Sequence, residues 1–449
     1  MPRAVAHYPS REMAILGLVE LTLSFAAIYV AIQAAGASMP LPAVAEILPS
    51  GGVALAAILT LISGGVALII GLYRPEVCLE GKRLLTAGGL AAIITLTVLF
   101  FVDGWPHRGH RDGNAVHTAE TIVAWLAAMA LIRRAYGIVT GHRSMGRLVL
   151  LLGDPAQVGA LSAHLLSRRG RLFDPIVHQG QTMSWSSLRQ RDIWGVVVAS
   201  QPEEATIEAL LDCKFRGMRI SSAAAFREKY LGRIDLDALT ANDLLLGQDF
   251  LAGKRSAGLK RLCDIVVGGC MLVLLLPLMA LTALAIKIDS PGPVFYRQRR
   301  VGRVDTTFTL FKFRSMTADA EANGRPLWAQ KQDPRVTRVG RVIRATRIDE
   351  LPQLANILRG EMSLVGPRPE RPHFVKQLAR AIPLYRQRTY VKPGLTGWAQ
   401  VNFPYGASVE DAREKLAFDL YYVKNRTIVL DMIILISTIR VVLFREGAR

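Results

Sequence analysis

Cysteine is scarce in this chain and never paired. Cys78, Cys213, Cys263 and Cys270 form no C-x-x-C couple, so neither a zinc site nor a disulfide framework is expected, only free thiols. Acids are few as well: 36 Asp and Glu stand against 55 Lys and Arg, a formal net charge of +19. Also absent is a small-residue cleavage site matched to a short apolar core behind Arg3 and Arg11. The first apolar run is therefore read as an anchor that stays in the chain rather than as a signal peptide.

Apolar sequence is what the chain has in excess. Its 449 residues are 51% hydrophobic, with a mean hydropathy of +0.27, and that is unusual for a cytosolic globular protein of such charge. Four membrane spans are read, at about 13–33, 52–73, 84–101 and 121–132. The segment after the first carries only Glu46, whereas Arg74, Lys82 and Arg83 follow the second, and Arg133, Arg134, Arg143 and Arg147 follow the fourth. By the positive-inside rule both termini are cytoplasmic. His107, Arg108, His110 and Arg111 then face the other side; only Asp103 and Asp112 could complete a ligand set there, and a polar loop is the better reading.

Beyond the spans the texture becomes α/β. Strands are read at 148–152, near Ile176, at 194–199 and at 218–221, with helices to about 166 and over 203–215. This order suggests a dinucleotide site, but the glycine fingerprint is missing. With Gly153 as first glycine, Pro155 and Val158 occupy the second and third positions, so close approach and one N–H donor to a pyrophosphate are lost. A polar linker at 253–258 then leads to Lys260, Arg261 and an apolar run over 265–286, interrupted at Leu276-Pro277 and closed by Lys287. Its length suits a span. The mid-run proline and the cations at both ends favour a helix that enters the bilayer, bends at Pro277 and returns to the same face.

Further on, arginines recur at Arg335, Arg338, Arg341, Arg344 and Arg347, interleaved with Val336, Val339, Val342 and Ile343. The pattern reads as an amphipathic helix with one cationic side, attractive to phosphates. It ends on adjacent carboxylates, Asp349 and Glu350. A carboxylate beside several guanidinium groups stays ionised at neutral pH and serves as nucleophile or metal ligand rather than proton donor. Taken alone, the segment is explained at least as well by a solvated, salt-bridged helix face.

The surrounding motifs change that balance. In order they are Asp289-Ser290-Pro291-Gly292-Pro293-Val294-Phe295, Arg297-Gln298-Arg299-Arg300-Val301-Gly302, Phe311-Lys312-Phe313-Arg314-Ser315-Met316, Asp333-Pro334-Arg335, Asp349-Glu350-Leu351-Pro352-Gln353-Leu354, Met362-Ser363-Leu364-Val365-Gly366-Pro367-Arg368-Pro369, and Lys392-Pro393-Gly394-Leu395-Thr396-Gly397-Trp398-Ala399-Gln400-Val401-Asn402. Together they resemble the bacterial sugar transferase family, the polyprenyl-phosphate hexose-1-phosphate transferases or monotopic phosphoglycosyl transferases. The resemblance covers about Lys260 to the C-terminus, and the whole chain resembles the family's large members. It departs at Phe418, where tyrosine is usual, and at Leu276-Pro277, where some small members have Ser-Pro.

The resemblance implies an architecture of membrane α plus α/β. A four-helix transmembrane bundle occupies 1–140, a degenerate Rossmann-like domain 145–250, and an α-rich catalytic domain with a re-entrant membrane helix 255–449. It implies transfer of a hexose 1-phosphate from a UDP-sugar, glucose or galactose, to undecaprenyl phosphate with release of UMP. That would be the initiating step of exopolysaccharide or capsule synthesis, on the cytoplasmic face of the bacterial inner membrane. Asp349 would be the nucleophile and Glu350 a ligand of Mg2+, which takes a few carboxylates plus substrate phosphate. Lys312, Arg314, Arg335, Arg338, Arg347, Arg368 and Gln400 would bind substrate and phosphate, and Pro277 would mark the membrane break. For Arg368 a structural ion pair, and for the Gly394–Gly397 turn simple turn chemistry, stay open. The expected partners are the UDP-sugar, undecaprenyl phosphate and the bilayer, with a homodimer open and no nucleic acid.

Apolar segment 428–444, interrupted by Asp431 and Arg440, is read as an interfacial amphipathic helix, with Tyr421 and Tyr422 either at headgroup level or in the core. Two other function classes compete. A membrane-anchored nucleotide-sugar dehydratase or epimerase needs an intact fingerprint and a catalytic Tyr-x-x-x-Lys. A non-catalytic scaffold for polysaccharide assembly gives no reason for the Asp349-Glu350 pair among phosphate-binding groups.

Overall fold

In the computed structural model, residues 11–36, 51–70, 132, 147–167, 173–178, 184–240, 254–317, 335–403 and 408–443 are described. The chain divides into two compact units, one ending at Ala223 and the other running from Ala224 to Arg449.

In the first unit, α1 (Arg11–Gly36) and α2 (Gly51–Ile70) pack together. Their approach depends on Gly64, where a Cβ would lie 2.4 Å from the Leu21 side chain. These helices carry the first two expected spans. The third and fourth, the His107–Arg111 loop and Cys78 lie outside the described residues, apart from helical Ile132.

The same unit contains a wholly parallel sheet in the order β2-β1-β3-β4. Its elements are β1 (Arg147–Leu152), α3 (Pro155–Ser167), β2 (Phe173–Val177), α4 (Trp185–Gln190), β3 (Gly195–Val198), α5 (Glu204–Phe215) and β4 (Arg219–Ser222). Buried Val149, Leu150, Val196 and Val197 form its centre, as continuous apolar runs do in parallel sheets covered on both faces. After β1 the chain turns at Gly153, φ 138°, where a Cβ would meet Ser200 N at 2.7 Å. Asp154 then caps α3: its Oδ2 accepts from Ala156 N at 3.1 Å and Gln157 N at 3.3 Å. The carboxylate thus satisfies two of the amides at the helix N-terminus.

The second unit opens with α6 (Ala223–Leu231) and continues with α7 (Lys254–Asp289), an antiparallel hairpin of β5 (Phe295–Val301) and β6 (Thr307–Phe313), α8 (Arg338–Ala345), α9 (Gln353–Arg359) and β7 (Ser363–Val365). Then follow α10 (Pro372–Ala381), β8 (Gly394–Thr396) paired parallel to β7, α11 (Trp398–Asn402), α12 (Val409–Asn425) and α13 (Ile428–Leu443). Leu354, Ile357, Met362, Leu416, Leu430 and Ile434 form the centre of its core. Tyr421 and Tyr422 join that core at 2% exposure each, which settles against the headgroup reading. The expected domain boundary near 250 also moves: Ile234 is buried in this core, so 224–240 belongs with the catalytic segment.

Among the described residues, Ala257–Asp289 is the one helical stretch long and apolar enough to cross a membrane; Gly17–Val30, Ala56–Ala67 and Ile428–Ile439 are shorter apolar stretches. Pro277 lies inside α7, which runs through it. Both arms of α7 nonetheless pack on the same unit. On the first arm, Arg261 donates to Ile357 O at 2.6 Å and Leu358 O at 2.8 Å, and Asp264 accepts from Ser363 Oγ and Leu364 N, each at 3.0 Å. On the second, buried Ile286 packs with Phe313 and Ile343, and Asp289 accepts from Val339 N at 3.0 Å. Between the arms Val273, Leu274 and Leu276 are exposed.

Candidate active site

The dyad is presented by a helix that stops early. Thr337 caps α8 by accepting from Gly340 N at 2.9 Å, and Gly340 is tight enough that a Cβ would meet Ser315 O at 2.0 Å. Helix α8 ends at Ala345, and Arg347 takes a left-handed conformation, φ 60° and ψ 13°, before a 3-10 turn over Ile348–Glu350. A non-glycine residue there costs roughly 1–2 kcal/mol. The turn puts both carboxylates indoors: Asp349 is 8% exposed and Glu350 7%.

The single cationic helix face expected over 335–347 is therefore not formed. Arg335 precedes α8, next to the isolated bridge between Met316 and Val336, and Arg347 follows it. Spacing explains this: three residues turn a helix by about 300°, so such a row drifts by about 60° at each step.

Cations converge on one carboxylate of the two. Glu350 Oε1 accepts from Arg368 Nη2 at 2.6 Å and from Lys312 Nζ at 3.0 Å, with Arg347 Nη1 at 3.6 Å; Oε2 faces Arg368 Nη1 at 3.4 Å. Asp349 Oδ2 lies 3.8 Å from Lys312. Burial works against charge on Glu350, but Arg368 and Lys312 outweigh it and hold the carboxyl well below the usual range. For Asp349 burial dominates, Lys312 compensates in part, and the neighbouring Glu350 adds to the rise, so its carboxyl is pushed up. Burial likewise pushes the Lys312 ammonium down.

Lys312, Arg347, Arg368 and Gln400 thus gather at the dyad, Gln400 by accepting from Arg368 Nη1 at 2.8 Å. Arg314 does not. Buried at 5% exposure, it donates to Pro291 O at 2.8 Å, Ser290 O at 2.6 Å and Ser290 Oγ at 2.9 Å, closing the chain after α7. Arg338 is an exposed first residue of α8, and Pro277 lies inside α7.

Residues 255–445 match the model of the family described as bacterial sugar transferase. The undecaprenyl-phosphate glucose phosphotransferase of Komagataeibacter xylinus is 45% identical over 403 residues, 83% of this chain and 73% of that relative. The UDP-N-acetylgalactosamine-undecaprenyl-phosphate N-acetylgalactosaminephosphotransferase of Aeromonas hydrophila is 40% identical over 285 residues, 62% of this chain and 66% of the relative. A UDP-glucose:undecaprenyl-phosphate glucose-1-phosphate transferase of Caulobacter vibrioides is 42% identical over 191 residues, 42% of this chain and 71% of the relative. The chain belongs to the bacterial sugar transferase family.

Several groups that shape the candidate site of this sugar transferase carry no signal in the sequence. The Pro367-Arg368-Pro369 segment is gripped from two sides, Arg300 Nη1 donating to Pro369 O at 2.9 Å and Arg388 Nη2 to Arg368 O at 3.0 Å. Arg388 is itself buried, with Nε 2.9 Å and Nη2 2.7 Å from Asp419 Oδ2 and Nη1 2.9 Å from the Tyr385 hydroxyl. Asn356, fully buried, ties β6 to α9 by accepting from Phe311 N at 3.2 Å and donating to Thr309 O at 2.8 Å. Arg344, a member of the arginine row that the sequence does show, has its Nη1 buried without a hydrogen-bond partner.

Among the described residues no group of three or more His, Cys, Asp or Glu could hold a metal ion by protein ligands alone. Two adjacent carboxylates, with phosphate oxygens completing the shell, are nevertheless a donor set that suits Mg2+.

Proposed function

We propose that this sugar transferase moves a hexose 1-phosphate from a UDP-sugar to undecaprenyl phosphate and releases UMP. The observation that carries the reading is the unequal pairing of the dyad. Arg368, Lys312 and Arg347 engage Glu350, while Asp349 holds Lys312 at 3.8 Å. A buried carboxylate, weakly paired and stripped of water, is a competent nucleophile once ionised.

In the first half, an Asp349 oxygen bonds to the sugar-bearing phosphorus and the bond from that phosphorus to the UMP oxygen breaks. In the second, an undecaprenyl phosphate oxygen bonds to the same phosphorus and Asp349 leaves as a carboxylate. Arg368, released in part from Glu350, binds the phosphoryl oxygens in a bidentate manner, and Lys312 offsets the charge on the leaving oxygen. Mg2+ held by Glu350 and the diphosphate would neutralise the approaching anions.

Glucose is the favoured sugar, from the relative matched over 403 residues; N-acetylgalactosamine is the second reading, from the relative matched over 285. The other relative reported, from Caulobacter vibrioides, is also a glucose enzyme, and galactose has no support in these names.

The remainder of the architecture joins this reading. A membrane bundle at 1–140 and a Rossmann-like domain without cofactor precede a catalytic unit on the cytoplasmic face of the bacterial inner membrane. Helix α7 enters and leaves by that face, supported by its two arms on one unit and the exposed apolar residues between them. Exopolysaccharide or capsule synthesis would use the product. Incubation of the purified full chain with undecaprenyl phosphate, Mg2+ and a panel of UDP-sugars tests the reading. UMP release with UDP-glucose is expected, and no release with any donor would sink it.

A further inference from the structure

Residues 224–240 lie ahead of the family-matched segment that begins at 255, yet they belong to the same compact unit. Ile234 donates its N–H to Ala417 O at 3.0 Å and buries its side chain in the core. Arg233 pairs with Glu414 at 2.7 Å and lies over the Phe418 ring, its carbon 5.8 Å from the centroid. Glu228 pairs with Lys424 at 2.9 Å, and Asp237 with Arg413. This is a strap with bonds along much of its length.

Its contact of consequence is with Trp398. The indole Nε1–H donates to Gly232 O at 2.6 Å, and the ring of Trp398 stacks on Tyr421 with centroids 5.7 Å apart. Gly232 holds φ 61°, and a Cβ there would lie 2.8 Å from the indole, so the strap meets the ring with no room to spare. Trp398 begins α11, a single short helix that also carries Gln400. Gln400 in turn accepts from Arg368 Nη1 at 2.8 Å, and Arg368 reaches Glu350 at 2.6 Å.

We infer that the strap is a positioning element of the active site. By clamping Trp398 it fixes α11, so Gln400 holds one arm of the Arg368 guanidinium and stops that arm from closing fully onto Glu350. Arg368 is thereby kept forked between Gln400 and Glu350. Gly232 and Trp398 are positioning residues, acting through Gln400. The inference rests on the reading of Arg368 as the ligand of the donor diphosphate.

A double-mutant cycle on the full-length protein tests it, reading KM for UDP-glucose, kcat and melting temperature. Trp398→Phe keeps an aromatic ring but removes the N–H together with the five-membered part of the buried indole, so melting temperature is read beside KM. It should raise KM by about fivefold, the scale of one neutral hydrogen bond, with kcat little changed. In a Gln400→Leu background the same change should do nothing further to KM. Gly232→Ala, which presses on the indole from the strap, should reproduce both results if Trp398→Phe lowers the folded yield. Equal KM effects with and without Gln400, or no KM effect from either variant, would overturn the strap. An unchanged KM in Arg368→Ala would instead remove the phosphate-ligand reading beneath it.

Discussion

Asp349 and Glu350 are neighbours in sequence with opposite electrostatic surroundings. Glu350 takes a guanidinium at 2.6 Å and an ammonium at 3.0 Å, whereas Asp349 lies 3.8 Å from that same ammonium. The left-handed Arg347 and the 3-10 turn after it point the two side chains into different company. Two carboxylates with their titrations pushed apart can take two roles, the tightly paired one electrostatic and the poorly paired one chemical.

Asp349→Asn should abolish UMP release, by roughly a thousandfold or more, and should raise the melting temperature at neutral pH. The sign follows from linkage. Burial raises the Asp349 carboxyl in the folded state. Its stabilising contribution is therefore present below the unfolded titration and lost as pH rises through the folded one, leaving a buried charge that the amide removes. The stability gain should vanish in acid. A loss of stability at neutral pH would show that Asp349 is paired better than its geometry indicates.

Turnover should fall on the acid side at a pH above that of an ordinary carboxylate, because Asp349 must be ionised to attack. Lys312 opposes that rise, so Lys312→Met should move the acid limb of kcat/KM to still higher pH, besides lowering the plateau. An unmoved limb would assign it to another group.

Much of this was legible in the sequence, and the failures have physical causes. The parallel strands announce themselves as apolar runs such as 148–152, and the Asp349-Glu350 pair stands out as acids in a basic stretch. Period reading failed at the arginine stripe, because spacing by three mimics a helix face until the turn angle is counted. Arg314 was assigned by charge, but charge does not distinguish a phosphate ligand from a guanidinium buried on carbonyls. Arg388 and Asp419 were invisible for the same reason: a buried ion pair 31 residues apart leaves no local pattern. Tyr421 and Tyr422 are ambiguous in sequence because residues of other elements, Ile234 of the strap and Leu430 and Ile434 of α13, share the core that buries them.

The Arg388–Asp419 pair supports the carbonyl of Arg368 from within the core. Asp419→Ala should cost about 3–5 kcal/mol of stability, because it leaves a buried guanidinium without its counter-charge, and should unfold at lower urea. A cost near zero would mean that water reaches Arg388.

Cysteines introduced at positions adjoining Lys260 and Asp289, in a background lacking the native ones, should both be protected from an impermeant thiol reagent in intact cells and both react after permeabilisation. Labelling of either from outside would make α7 a spanning helix. Pro277→Leu should weaken the reversal by restoring the missing amide donor, and should lower activity by misplacing the unit that follows.

The covalent attack proposed for Asp349 fixes the order of events. With undecaprenyl phosphate withheld, UDP-glucose should yield about one equivalent of UMP or less and then stall, since the acyl phosphate has no acceptor. Label in the sugar should travel with the denatured protein and be released by alkali, and Asp349→Asn should retain none. Adding undecaprenyl phosphate should discharge the label into lipid. If UMP appears only with the lipid present and no label is trapped, the lipid phosphate attacks the donor directly. Asp349 is then left with an electrostatic or metal-binding role.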